Sequence, residues 1–292
     1  NEWKWYSTFN GQSYPRLLKI ENFNKDGKLH GESILYYQDE SVVEQGNYKN
    51  GKKDGEWIYY YDNGKKEYQG KYENGKRIGK WTVFDEHSEK KCGELNYKNG
   101  KLDGEYVEFN GDLIILTGQY KSDKKIGKWI YINDNKKIGK EENYRSGKLN
   151  GDYKEWHPNG TEWKVGIYKD GKLDGEYKEY HKNGISYLSG HYINGKKSDK
   201  WVYCFEDGKT MQLGYYEDDL KTDKWTLWHD NGKRALEENF KFGSLNGKKT
   251  TYFYEGQKES VDEFLDGICN GDSTTWYQNG IVATKRVFSD GY

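Results

Sequence analysis

The fold of this chain is decided by a stretch that recurs along it, and a clear copy is Tyr72–Phe84, which reads YENGKRIGKWTVF. The Asn-Gly-Lys step near its start is typical of a tight hairpin turn, because Gly and Asn accept a positive φ at little cost. The stretch Tyr168–Tyr180, YKDGKLDGEYKEY, has the same layout. We call the aromatic residue that heads each copy the anchor (position 0) and count the other positions from it.

From Tyr48 onward the anchors recur every 24 residues, with one step of 25 and one of 23. A second Gly-containing turn falls at position +16, as at Gly64 and Gly160. Two turns per repeat leave two strands of about six to eight residues each. The anchors are Tyr48, Tyr72, Tyr97, Tyr120, Tyr144, Tyr168, Tyr192, Tyr216, Phe240 and Phe264.

The repeat also predicts how the chain is organised. Phe23 heads an earlier repeat with one extra residue, and Phe288 heads one that the chain does not finish. Residues 23–292 are therefore predicted to hold eleven repeats and a partial twelfth. Residues 1–22 depart from the pattern and are predicted to form an N-terminal cap or half-repeat.

Composition supports an all-β class. Hydrophobic and charged residues each make up 33% of the 292 residues, which by itself is typical of disorder. Aromatic residues are 17%, with 28 Tyr and 11 Trp, so part of the chain must pack. A single Met argues against long helices, and 36 Gly suit many turns. We expect an elongated, single-layer antiparallel β-meander solenoid of hairpin repeats.

Charge and cysteine content exclude several function classes. The net charge is −1, so no strong field attracts nucleic acid. The three cysteines are far apart and have neither disulfide-framework nor metal-site spacing. We expect no cofactor and no metal. The first residue is Asn1 rather than Met, which predicts a processed or trimmed form, and an exported or cell-surface location is slightly favoured.

Position +9 is the candidate binding strip. In a regular strand it would face away from position +12, where every residue from Tyr60 to Trp276 is apolar or aromatic. We interpret position +12 and the anchors together as the structural ladder. If position +9 faces solvent, its rings form a stacking strip, whereas if it is buried the strip is core, and the sequence leaves both open. The strip consists of Trp57, Trp81, Tyr106, Trp129, Tyr153, Tyr177, Trp201 and Trp225.

Other side chains indicate a charged surface and no catalytic centre. Position +8 becomes basic at Lys200, Lys224 and Lys248, a candidate stripe for an acidic partner. Three histidines share position +13, and strand spacing keeps them too far apart to bind one metal ion. No nucleophile–base arrangement or phosphate loop departs from the repeat, so we expect a protein that is not an enzyme.

The copies at Tyr48–Tyr60, Tyr72–Phe84 and Tyr97–Phe109 resemble the bacterial variant of the MORN repeat. Trp57 and Trp81 stand where the eukaryotic repeat carries Gly. The resemblance implies a twisted single-layer antiparallel sheet with a groove. It also implies protein binding, scaffolding or membrane-lipid association, and bacterial members are sometimes labelled antitoxin-like.

The function we predict is a non-enzymatic scaffold that binds another protein along an aromatic and charged sheet face. The alternatives are a carbohydrate- or choline-binding surface module, since Trp57–Tyr60 resembles strands of such repeats, and peripheral membrane-lipid binding. The unfinished last repeat also predicts an open edge strand, which favours end-to-end or edge-strand self-association.

Overall fold

The computed structural model describes residues 2–9 and 12–292, with side chains from residue 19 onward. Every regular element in this part of the chain is a β-strand, which confirms the all-β class. Frequent turn glycines interrupt the chain before any helix is established, and the strands are rich in the aromatic and branched residues that favour extended backbone. Among the described residues there is no helix that could cross a membrane.

The chain forms two compact bodies. The first comprises the residues up to Lys137 together with Tyr144–Lys148, and the second comprises Ile138–Asn143 and Leu149–Tyr292. The strands before Ile138 are β1 (Glu2–Phe9), β2 (Gln12–Phe23), β3 (Leu29–Tyr36), β4 (Val42–Lys49), β5 (Lys52–Tyr60), β6 (Lys66–Glu73), β7 (Lys76–Phe84), β8 (Lys91–Lys98), β9 (Lys101–Asn110), β10 (Leu113–Lys121) and β11 (Lys124–Ile132).

Two strands carry residues of both bodies, β12 (Ile138–Arg145) and β13 (Lys148–Trp156). The second body continues with β14 (Glu162–Lys169), β15 (Lys172–Tyr180), β16 (Ser186–Ile193), β17 (Lys196–Cys204), β18 (Thr210–Glu217), β19 (Leu220–Trp228), β20 (Arg234–Lys241), β21 (Ser244–Leu245), β22 (Gly247–Tyr252), β23 (Lys258–Leu265), β24 (Ile268–Trp276) and β25 (Val282–Phe288).

Each body is an antiparallel meander in which consecutive strands pair, and this confirms the predicted hairpin repeat. One strand ends just after the anchor, and the next begins at position +4. The two residues between them have positive φ, as at Asn74 (52°) and Gly75 (79°). Such a turn matches the right-handed twist of the strands that it joins.

The N-terminal residues join this pattern through their backbone. Strand β1 pairs with β2, and β2 pairs with β3, so residues 2–9 and 12–23 contribute two antiparallel strands to the first body. The side chains of the predicted cap up to residue 18, including those of Trp3, Trp5 and Tyr6, lie outside the described side chains. The repeat boundaries at 23 and 292 stay predictions.

The core consists of large aromatic side chains on one face of the sheet. Trp57 and Trp81 are both 1% exposed and pack with Tyr59, while Tyr68 and Tyr72 close the cluster from the neighbouring strand. In a single layer these rings bury one another and the backbone beneath them, so stability comes from packing between adjacent repeats.

Candidate functional site

The two-residue turn of each repeat places the anchor and position +9 on the same face. In the pair β4–β5, Tyr48 lies opposite Lys53, and Lys53 lies four residues before Trp57, so all three side chains are on one side of the sheet. The register shift between Gly46 and Asn47 adds two residues to β5, an even number that leaves the alternation of side chains unchanged. As a result Tyr48 and Trp57 meet edge to face, with ring centroids 5.2 Å apart. We call this side of each body the tryptophan face.

The tryptophans at position +9 lie directly over glycines at position −2. A Cβ atom at Gly70 would come within 2.3 Å of Trp81 Cδ2, closer than any contact a real Cβ makes. The glycine is therefore required by the ring that covers it. The same arrangement joins five pairs, Gly46 with Trp57, Gly70 with Trp81, Gly118 with Trp129, Gly190 with Trp201 and Gly214 with Trp225.

This packing decides between the two alternatives for the candidate strip. Trp57, Trp81, Trp129 and Trp201 are each 1% exposed, and Trp225 is 2% exposed. Their rings are core and offer no solvent-facing stacking surface. The three tyrosines at the same position are half-buried, namely Tyr106, Tyr153 and Tyr177.

Position +12 lies on the opposite face from the anchors. Tyr59 shares the tryptophan face with Trp57, with ring centroids 6.3 Å apart, so the next residue, Tyr60, points the other way. Side chains at +12 are half-buried in all repeats from Tyr60 to Trp276. The interpretation that anchors and position +12 form one ladder is therefore wrong, because each anchor lies opposite position +5, which is on the same side of its strand as position +9.

A cation covers each buried tryptophan. The Lys53 ammonium lies 3.9 Å from the centroid of the Trp57 ring, 2.7 Å from a Glu44 carboxylate oxygen and 2.9 Å from the Tyr59 hydroxyl. Such a cation is attracted to the negative face of the ring while its alkyl stem excludes water. Equivalent contacts of 4.0–4.5 Å are made at position +5 by Arg77, Lys125, Lys197 and Lys221.

We call a repeat with Trp at position +9 a tryptophan repeat and one with Tyr there a tyrosine repeat. In the tyrosine repeats, position +5 is Leu instead of a cation, and position +11 is Glu. The Tyr177 hydroxyl donates a hydrogen bond to Glu179 at 2.6 Å, and Tyr106 and Tyr153 donate in the same way to Glu108 and Glu155. Burial, followed by this hydrogen bond to a carboxylate, raises the pKa of all three hydroxyls well above the usual range.

The backbone at position +7 separates the two classes of repeat. In tryptophan repeats its φ is between 55° and 79°, whereas in the three tyrosine repeats it is 109–134°. Asp tolerates the first range but not the second. The two Asp replacements there, Asp199 (60°) and Asp223 (55°), both occur in tryptophan repeats, as conservative turn substitution requires.

The candidate basic stripe is exposed on the face opposite the tryptophans. Lys200, Lys224 and Lys248 each precede a residue of the tryptophan face and alternate away from it. Lys224 pairs with Glu237 at 2.6 Å, and Lys248 pairs with Glu263 at 3.5 Å. The structure therefore brings the three lysines to one face of the second body. The carboxylates of Glu237 and Glu263 partly neutralise the charges of Lys224 and Lys248.

Hydrogen bonds join neighbouring repeats at both hairpin edges. At one edge the first-turn Gly75 N–H donates to the Lys53 carbonyl of the preceding repeat at 2.8 Å, and this bond recurs from repeat to repeat. At the other edge His157 Nε2 lies 2.9 Å from the carbonyl oxygen of Tyr180 in the following repeat. His181 and His229 have the same role at 3.1 and 3.4 Å.

These histidines therefore join neighbouring repeats. Within the part of the chain that the structure describes, no group of His, Cys, Asp and Glu is arranged to hold a metal ion.

Sequence reasoning missed three of the positions that build the tryptophan face. Position −2 is Gly in every tryptophan repeat, position +5 is Lys or Arg in the same repeats, and position +11 is Glu in every tyrosine repeat. The signal was available as covariation, because positions +5, +9 and +11 change together between the tryptophan and tyrosine repeats, although Gly166 at position −2 is retained in the repeat of Tyr177.

Comparisons with known proteins agree with the repeat. The family model of the MORN repeat variant matches residues 29–50, 53–76 and 173–194 of this chain. No curated protein matches this chain. Among solved structures, the Tc holotoxin pore of Photorhabdus luminescens is similar over 96% of this chain and 18% of that chain, with 11% sequence identity and a TM-score of 0.21.

Proposed function

We propose that this chain is a non-enzymatic scaffold that binds another protein along the exposed face of the second body. The observation that carries the proposal is the register of the repeat, which sets equivalent side chains in rows on a face that the sheet itself does not cover. The matches to the MORN repeat variant support it, since MORN repeats are generally protein- or membrane-interaction modules.

The surface we propose for the partner contains Lys200, Lys224, Lys248 and Tyr215. Tyr215 is 37% exposed and lies opposite Lys200 in the ladder between β17 and β18. Lys200 has no ion pair among the described side chains, and the Lys248–Glu263 pair is exposed enough to be exchanged at little cost. Lys224 pairs with Glu237, whose side chain is only 13% exposed, so its charge is the least available of the three. An aromatic ring beside a row of lysines suits an acidic protein surface.

Burial of the tryptophans weakens the two alternatives. A sugar- or choline-binding module needs exposed rings for stacking, and five of the eight rings in the candidate strip are core. An electrostatic membrane surface needs a net basic field, and the chain has a net charge of −1. Both alternatives remain outcomes of the experiment below.

The test is parallel capture from an extract of the source cells. The stripe variant carries Lys200→Glu, Lys224→Glu and Lys248→Glu, and its control carries Lys124→Glu, Lys148→Glu and Lys172→Glu at exposed hairpin positions. We expect the wild type and the control to retain one stoichiometric protein that the stripe variant loses.

Equal capture by all three proteins would show that the stripe is not the contact surface. If no protein is retained, a positive glycan array or flotation with anionic liposomes would replace the scaffold with one of the alternatives.

A further inference from the structure

One glutamate of the tryptophan face differs from its equivalents in what lies across from it. In the second body, Glu155 and Glu179 both lie opposite Lys164 in adjacent strand pairs. In the first body, the equivalent Glu108 lies opposite Gly93 on one side and Leu116 on the other. The Glu108 carboxylate accepts a hydrogen bond from the Tyr106 hydroxyl and has no ion pair among the described residues.

A cleft opens beside Glu108 because of Gly93. This is the one repeat in which position −4 is Gly, and in the others that position carries a side chain. The resulting cleft has a volume of about 330 Å³, and its lining includes Val83, Leu95, Tyr106 and Glu108. The cleft is therefore mainly apolar, and the Tyr106 ring and the Glu108 carboxylate are part of its lining.

The chain itself shows how this face holds an ammonium group. Lys53 lies over an aromatic ring, bonds a tyrosine hydroxyl and pairs with Glu44, which occupies position −4. In the repeat of Tyr106 the ring and the carboxylate are present, but position +5 is Leu102. The acceptors for an ammonium group are retained where the chain's own cation is missing.

We propose that the cleft at Gly93 binds an alkylammonium group, supplied by a lysine side chain of a partner protein. The alkyl stem would lie along Val83 and Leu95, and the ammonium would pair with Glu108 and approach the Tyr106 ring. The source of the ammonium rests on the proposed scaffold function. The chemistry of the cleft does not, so each can be tested without the other.

The experiment titrates the full chain with n-butylammonium chloride and follows backbone amide shifts by NMR. We expect saturable, millimolar binding with shifts centred on β8 and β9, and no binding of the neutral isostere n-butanol. A peptide with one internal lysine should compete for the same site, and its lysine-acetylated form should not. If the free amine binds and the lysine peptide does not, the ligand is a small amine and the lysine assignment is overturned.

Three variants make the test specific. Glu108→Gln should weaken n-butylammonium binding at least about tenfold, because a charge-assisted hydrogen bond is lost. Gly93→Lys should abolish it by placing an internal cation where Lys164 stands in the second body. Gly93 has no positive φ and a Cβ there would meet Val83 at an ordinary 3.4 Å, so this variant is expected to fold.

Glu105→Gln is the matched control, since it removes one exposed charge from the same strand on the opposite face. Failure of the wild type to bind, or equal binding by Glu108→Gln, would overturn the inference while leaving partner capture through the lysine stripe unaffected.

Discussion

Trp129 lies so close over the backbone of Gly118 that a Cβ there would meet Trp129 Cδ2 at 2.2 Å. The two residues face each other across β10 and β11 at the point where the register shifts. The ring fills the space that a side chain would take, and it gains a flat backbone surface to cover. Tryptophan at position +9 and glycine at position −2 are thus a single structural unit.

This contact predicts the effect of one added methyl group. Gly118→Ala should lower the free energy of unfolding by about 1–3 kcal/mol, because the Trp129 ring must move out of its site. Gly93→Ala is the control, since its Cβ would meet Val83 at 3.4 Å. Thermal unfolding, with hydrogen exchange to locate the loss, measures both changes. Equal stability of the two variants would contradict the packing argument.

The φ angles at position +7 predict which turns accept aspartate. Gly79→Asp should be nearly neutral, since φ is 62° and nothing lies within 4 Å of the new Cβ. Gly175→Asp, at 134°, should cost about 1–3 kcal/mol of unfolding free energy. Denaturant unfolding of both variants tests this, and a neutral Gly175→Asp would refute the division into two backbone classes.

The cations over the tryptophans predict a stability effect without any ion pair. The Lys221 ammonium lies 4.4 Å from the Trp225 ring centroid and 4.8 Å from that of Phe240. Lys221→Met keeps the stem but removes the charge, and we expect a loss of about 0.5–2 kcal/mol. Lys200→Met, on the exposed face and without an ion pair among the described side chains, should change the unfolding midpoint less. The idea fails if the two substitutions have equal effects.

The tyrosines predict sensitivity to alkaline pH. Burial and the bond to glutamate raise the pKa of Tyr153 and Tyr177 in the folded chain above the value of 10.0 for a free side chain. Above about pH 10 the folded state therefore binds more protons than the unfolded state, and the free energy of unfolding falls as pH rises. Below that pH both tyrosines are protonated in both states, and their full contribution to the free energy of unfolding is present.

Unfolding midpoints from about pH 8 to pH 11, followed with tyrosinate absorbance, measure this effect. Tyr177→Phe should flatten the alkaline decline, whereas Phe replacement of the exposed Tyr292 should leave it unchanged. An equal alkaline decline in the wild type and in Tyr177→Phe would contradict the prediction.

The hairpin repeat was readable from the sequence because it depends on local signals. Turn residues such as Asn74 and Gly75 need positive φ, and that requirement leaves a mark at a fixed spacing. Asp199 and Asp223 stand at turn positions with φ of 60° and 55°, a region that Asp accepts more readily than most other residues.

The faces of the sheet were not predicted correctly, although the turn carries the information. A two-residue turn at positions +2 and +3 sets Tyr48 opposite Lys53, and therefore on the side of position +9. The anchors were grouped with position +12 because both are aromatic or apolar. The cleft at Gly93 was missed because a single glycine among 36 carries no signal until its cross-strand neighbours are known.

The bond from each first-turn N–H to a carbonyl of the preceding repeat has a genetic consequence. Gly171 donates to Leu149 and Gly195 to Leu173 in the same way, although these repeats differ elsewhere. Within a body, then, every junction between repeats has the same polarity and the same complementary groups. Unequal crossing-over that deletes or duplicates one whole module leaves each new junction matched, so such genes can change their number of modules in a single step.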